Sequence, residues 1–340
     1  MDKKIGGFFP LDLPLPKVSQ NILALWQASE YSHLFFANGR SALNHLLKLK
    51  NTKTLWLPAY SCTSLTEAAQ NTGASLRFFP ITEQLSPDCG YLKKNIKSKD
   101  AVLAIDYFGR NPDVAFTHLV NEYSDIDWIE DRAQALSPGT SPWGDFIIYS
   151  PRKLLGVPDG GVLVSRKSKL PEVKQALNPD ADFIKPSLLR YEDKEEAHNN
   201  IWHAANSAHE KSMVASNFPM SRISRDILAA TKPAPLISAR KANYRVLMKA
   251  LQNIALLPDD DTSFTPLGFP IRLKNRQKVA TFLHTNGIFA AIHWPELLCS
   301  PNEFAFEHEL KTHILTLPCD HRYDKSDMEK IASLTQEAIA

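Results

Sequence analysis

Short apolar blocks separated by turn residues run through the first half of the chain. Ala42, Leu43, Leu46 and Leu47 recur at helical spacing behind Asn38-Gly39-Arg40-Ser41, a turn signal, and predict a helix. Residues 54–57 read as a short buried strand closed by Pro58, residues 64–70 as a helix and Ser75–Phe79 as a strand. Ala101–Ile105 is a continuous apolar run, the pattern of a parallel strand covered on both faces. Residues 126–129, Phe146–Tyr149 and residues 161–164 predict three more strands. Strand and helix signals alternate, which argues for a mostly parallel sheet in an α/β layer architecture.

The pattern changes from about residue 170 to residue 215. There Tyr191-Glu192-Asp193-Lys194-Glu195-Glu196 predicts a solvated helix. Helical periodicity continues through Arg222–Ala230 and residues 238–251. Residues 268–273 and 288–292 read as strands around a helix at 277–286, and a last helix covers 325–338. The expected division is a large α/β domain over residues 1–235, with a proline-rich arm at 1–20, and a small α+β domain over 236–340.

A chain of 340 residues can bury a large core, and a net charge of +2, spread without a basic stripe, implies no nucleic-acid partner. Cys62, Cys89, Cys299 and Cys319 lie far apart, with no CxxC pair and no histidine at ligand spacing. They read as reduced thiols of a cytoplasmic protein, and a metal site is not expected. The start, Met1-Asp2-Lys3-Lys4, begins like a signal peptide, but Asp12 and prolines 10, 14 and 16 interrupt any h-region. No apolar run is long enough to suggest a membrane span.

The chemistry concentrates in Ile129-Glu130-Asp131-Arg132-Ala133-Gln134 and Tyr149-Ser150-Pro151-Arg152-Lys153, followed by Pro158-Asp159-Gly160-Gly161. An acid just past one strand and a lysine just past its neighbour would meet at one sheet edge, where α/β enzymes bind ligands. That pairing suits pyridoxal phosphate. The lysine forms the Schiff base, and the carboxylate keeps the pyridine nitrogen protonated. A nucleophilic amine must be desolvated or lie near positive charge, and Arg152 with a buried strand end would supply both. Read alone, Lys153 is an ordinary lysine after a strand and Asp131 a loop acid or helix cap; the register of the two with the Gly-Gly segment favours the catalytic reading.

These segments resemble the DegT/DnrJ/StrS family of PLP-dependent sugar aminotransferases, over most of the chain. Asp131, Gln134, Lys153, Gly160 and Gly161 sit at the matching places, with a loop from Asp131 to Lys153 shorter than usual. The resemblance implies a fold-type-I PLP enzyme with a large domain and a small C-terminal domain. Lys153 and Asp131 would be catalytic, and Gln134 would lie near the ring hydroxyl.

Asn38-Gly39-Arg40-Ser41-Ala42-Leu43 resembles the family's Ser-Gly-Thr-x-Ala-Leu segment, a helix N-terminus suited to the cofactor phosphate. Gly39, Arg40 and Ser41 would bind there, with Arg40 standing where the family has a threonine or a small residue. Ser150 would add a hydroxyl. Pro58-Ala59-Tyr60-Ser61-Cys62 matches the segment that lays an aromatic over the ring, but that position is Cys62; Tyr107 or Phe108 could cover the ring instead. Asp106-Tyr107-Phe108-Gly109 resembles a His-x-Tyr-Gly turn. Asn217-Phe218-Pro219-Met220 resembles Asn-x-Arg-Met, with Pro219 in place of the arginine. In relatives that asparagine reaches the partner subunit's phosphate, which implies a homodimer with shared sites. His293-Trp294-Pro295 resembles a His-Tyr-Pro turn facing the site, so Tyr60 and His293 are substrate candidates.

The resemblance implies a reaction that moves an amino group from an amino acid, glutamate by family habit, to a keto-sugar nucleotide in polysaccharide or amino-sugar biosynthesis. Two alternatives share the fold: sugar dehydration, whose enzymes often lack the lysine, and a non-catalytic binding or regulatory protein. A NAD-dependent dehydrogenase fits poorly, because no Gly-x-Gly-x-x-Gly follows an early strand.

Overall fold

The structure is a computed structural model that describes residues 5–6, 17–27, 31–136, 142–176, 178–195, 197–257 and 263–340. Most of the proline-rich arm, with the prolines at 10, 14 and 16, lies outside the described residues.

After β1 (Ile5–Gly6) and α1 (Ile22–Trp26) come β2 (Ser32–Phe36), α2 (Gly39–Leu49), β3 (Thr54–Pro58), α3 (Thr63–Ala69) and β4 (Ser75–Phe79). The chain continues through α4 (Cys89–Asn95), β5 (Ala101–Ile105), α5 (Val114–Glu122), β6 (Asp127–Arg132), β7 (Phe146–Tyr149) and β8 (Gly161–Ser165). Seven strands form one sheet in the order β2-β8-β7-β6-β5-β3-β4, and only β8 runs antiparallel to its neighbours. The protein is therefore α/β with a mostly parallel central sheet, as the alternating pattern predicts. β5, β7 and β8 are buried along their whole length, which explains their unbroken apolar runs.

β6 departs from the expectation. The strand does not end at Ile129 but continues to Arg132, so Asp131 lies within it, paired with Ile105 on one side and Ile148 on the other. Two of the three consecutive charged residues, Glu130 and Arg132, fit a buried strand because their charges are matched. Arg132 Nε lies 2.8 Å from Asp106 Oδ2 and 3.2 Å from Glu130 Oε1, and Glu130 Oε2 accepts from the Trp143 and Gly144 amides at 2.9 Å. β2, not among the expected strands, holds the apolar run Leu34-Phe35-Phe36 and pairs with β8 along five residues.

The second half holds α6 (Lys185–Glu192), α7 (Asn199–Ser212), α8 (Arg222–Ala230) and α9 (Pro233–Leu251). Of the charged run expected to form a helix, only Tyr191 and Glu192 are helical among the described residues. α6 stops at Glu192, and the Asp193 carboxylate accepts from the Ala197 and His198 amides at 3.0 and 2.9 Å, opening the turn into α7. Aspartate favours such local bonds over helix interiors.

The C-terminal elements are β9 (Phe269–Arg272), α10 (Arg276–Thr285), β10 (Ile288–Phe289), α11 (Ala305–His313), β11 (Ile314–Leu317) and α12 (Lys325–Ile339). Their core is separate: Tyr244, Leu247, Phe269, Ile271, Leu315, Met328 and Ile331 pack together. The expected boundary at 235 falls in the first turn of α9, and Ile5, counted with the large domain, packs into this second core through pairing of β1 with β10.

Candidate functional site

The carboxyl ends of β3, β5, β6 and β7 open onto one side of the sheet, opposite the N-terminus of α2. Asn38 starts α2 by accepting from Ser41 N at 2.8 Å and from Ser41 Oγ at 2.9 Å, a side-chain cap that leaves the Gly39 and Arg40 amides at the helix mouth. Close approach of two backbones sets this mouth. A Cβ on Gly161 would lie 2.1 Å from the Asn38 carbonyl oxygen, and Gly160 holds φ at +135°. The Gly-Gly segment is thus what lets β8 pass against the start of α2.

A cavity lies at this edge, lined by Asn38, Gly39, Arg40, Leu43, Cys62, Ser64, Leu65, Ile105, Asp131, Ala133, Gln134, Ile148, Ser150, Arg152, Lys153, Met213 and Trp294. Asp131 and Lys153 face it together. Asp131 Oδ1 accepts from Ala133 N at 2.8 Å; among the described residues Oδ2 has no hydrogen-bond partner. Burial pushes the Asp131 carboxyl above its ordinary range, while the Lys153 charge and the Ala133 amide pull it back. Gln134 Oε1 accepts from Phe108 N at 2.6 Å, so its amide nitrogen is the end left for a ligand.

The cavity brings together Gly39, Arg40, Cys62, Asp131, Gln134, Ser150 and Lys153. Ser41 is not among the lining residues. Its hydroxyl is buried, donating to Asn38 Oδ1 and accepting from Ser216 N at 2.9 Å. Asn217 is exposed and donates to the Lys174 carbonyl at 3.0 Å, away from this cavity. Arg40 is turned outward to Glu67 at 2.7 Å.

Cys62 leaves one wall without an aromatic ring. Tyr107 and Phe108 do not fill that place: both are buried, and Tyr107 donates to the Tyr60 carbonyl. Among the described residues the aromatic on the cavity wall is Trp294, packed at a tilt against Tyr60 and Tyr107 with ring centroids 5.4 and 6.1 Å away. Tyr60 is fully buried and donates to the His293 carbonyl, a role that supports the wall from behind.

A second, larger cavity continues from Lys153 toward the C-terminal unit, with Arg152, Glu210, Arg240, His293, Trp294, Thr316 and Asp320 in its wall. His293 Nδ1 lies 2.9 Å from Thr316 Oγ1. Burial and then the Lys153 charge lower His293 to about 4, so the ring is neutral near pH 7. Ser64 and Glu210 were not among the residues the sequence singles out, and Arg152 entered there only as positive charge beside Lys153. Trp294 had a signal, its place beside His293.

The site has the parts a pyridoxal phosphate group requires: an amine, a buried carboxylate oxygen without a partner, and open amides with a serine hydroxyl for a phosphate. Fold and site together define a fold-type-I PLP-dependent enzyme. Residues 31–334 match the DegT/DnrJ/EryC1/StrS aminotransferase family, and the chain belongs to that family. It is a PLP-dependent aminotransferase. No curated protein matches its sequence.

Similar solved structures include a putative sugar aminotransferase, Spr1654 from Streptococcus pneumoniae in its PLP form. It is 15% identical with a TM-score of 0.69, over 99% of this chain and 100% of that one. The aminotransferase TlmJ from Streptoalloteichus hindustanus is 15% identical with a TM-score of 0.69, over 98% of each chain. PseC from Helicobacter pylori, an aminotransferase of pseudoaminic acid biosynthesis, is 14% identical with a TM-score of 0.64, over 99% of each chain.

Proposed function

We propose that this enzyme transfers an amino group from an amino acid, glutamate by preference, to a keto-sugar nucleotide. The observation that carries the reading is the shared cavity of Asp131 Oδ2 and Lys153 Nζ beside the α2 mouth, with a larger cavity adjoining it on the Lys153 side. A sugar acceptor fits the space of that second cavity, and a putative sugar aminotransferase is among the similar structures.

Bound pyridoxal phosphate supplies an electron sink that carries the amino group between donor and acceptor. Asp131 holds a proton on the ring nitrogen through a charge-assisted hydrogen bond. Lys153 Nζ would hold the cofactor and, once freed, would serve as the general base and acid that moves the proton at the reacting carbon. The Gly39 and Arg40 amides and Ser150 Oγ hold the phosphate, Gln134 orients the ring hydroxyl, and Trp294 keeps water from the ring face. A homodimer in which Asn217 reaches the partner's phosphate fits its exposed position, and the four free cysteines fit a cytoplasmic enzyme.

The test is incubation with pyridoxal phosphate, glutamate and a set of keto-sugar nucleotides, reading products by mass spectrometry. An aminated sugar nucleotide and 2-oxoglutarate support the reading. Turnover of glutamate with no aminated sugar in any pairing would remove the acceptor assignment.

A further inference from the structure

Arg152 and Glu210 meet where the two cavities join. Arg152 leaves the 3-10 turn Pro151–Lys153 next to the catalytic lysine and lines both cavities; Glu210, on α7, lines the second. The guanidinium grips the carboxylate as a fork, with Nη1 donating to Oε1 and Nη2 to Oε2, the latter at 3.0 Å. This is the geometry in which arginine recognises carboxylates and phosphates.

Three features set this pair apart from an ordinary surface ion pair. Burial alone would raise the Glu210 carboxyl, but Arg152 first, and then Arg40 and Lys153, hold it below its ordinary range, so three cations of the site converge on one carboxylate. Arg152 Nε is buried and, among the described residues, has no hydrogen-bond partner, so the pair leaves the guanidinium short of its full set. The Glu210 side chain is still 34% exposed, which makes the contact weak enough to exchange.

We propose that Glu210 is a resident substitute for an anionic group of the substrate: Arg152 recognises an incoming carboxylate or phosphate, which takes Glu210's place and releases α7 from the cavity mouth. The inference rests on the transaminase reading of the cavity and adds its anion-recognising residue. The carboxylate would come from the amino donor and the phosphate from the sugar nucleotide. Glu210 then sets how strongly an anion must bind to enter. Nucleotide-free sugars and amines without an acid group would be excluded by the same competition.

The test titrates glutarate and, separately, pyrophosphate by calorimetry into protein saturated with pyridoxal phosphate, so that the phosphate site at α2 is already filled. Failure of the cofactor to load would be visible first and would count against the transaminase reading instead. Glu210→Gln should bind the responsive anion about tenfold tighter than wild type, and Arg152→Gln should lose at least that factor. Response to glutarate assigns the donor carboxylate; response to pyrophosphate assigns the nucleotide. Glu210→Asp, which keeps the charge, should stay close to wild type. Hydrogen exchange in residues 199–212 should rise when the anion is added to wild type and start high in Glu210→Gln. Equal binding by wild type and Glu210→Gln, or no binding by either, would overturn the proposal, as would undiminished binding by Arg152→Gln.

Discussion

The proposed chemistry rests on two side chains, and each can be removed separately. Lys153→Ala should lower transamination by about 10²–10⁴-fold, the usual contribution of a positioned acid–base group, with cofactor still held through the phosphate site. Turnover measured with added amines checks it: partial rescue is expected, since a small amine can replace Nζ. Asp131→Asn keeps an oxygen for the Ala133 amide but removes the charge facing the ring, so the rate should fall while the fold stays intact. His293 makes a pH prediction. Its folded value near 4 lies below the ordinary 6.5, so its neutral form is the one the fold accepts. The stability it contributes is present above pH 6.5 and is lost as pH falls toward 4, and His293→Asn should flatten urea midpoints across that window. That Asp131 and Lys153 would meet at one sheet edge was legible in the sequence, because an acid and a lysine follow neighbouring strands, whereas Gln134 was reached only through the resemblance. The place of Trp294 was not legible, since its ring reaches the site only through packing of the C-terminal unit onto Tyr60 and Tyr107.

At the scale of elements, β6 carries the largest electrostatic burden. Arg132 neutralises the buried Asp106 and Glu130, whose carboxyls burial pushes upward. Arg132→Met would leave both acids buried without their cation and should cost about 3–5 kcal/mol, read from denaturant midpoints. Gly161→Ala should cost about 1–3 kcal/mol, because its Cβ would lie 2.1 Å from the Asn38 carbonyl and force β8 away from α2. Cofactor affinity should drop with it, since the same shift opens the α2 mouth. The elements that periodicity revealed best were those with an uninterrupted core face, such as β5, α8 and α12. β6 was cut short because its last residues are charged, and pairing between side chains distant in sequence is invisible to a periodicity argument. The acidic run at 191–196 misled for the opposite reason: Asp193 spends its carboxylate on local amides.

The whole molecule sets a large parallel sheet against a smaller unit, and the reactive lysine sits where they adjoin. His293, Trp294 and Thr316 come from the C-terminal unit, so the second cavity depends on both parts. With Asn217 exposed and outside the single-chain cavity, a dimer of twice 38.1 kDa is expected in sedimentation, and Asn217→Ala should weaken cofactor binding only if the subunits share sites. The central claim is that Lys153 and Asp131 form one cofactor site. Its most direct test adds pyridoxal phosphate to the purified protein, reduces with borohydride and maps the modified peptide by mass spectrometry. The account predicts a phosphopyridoxyl group on Lys153, absent when glutamate is added before reduction because the amino group has already passed to the cofactor. Modification at another lysine, or label on Lys153 that glutamate leaves unchanged, would contradict it.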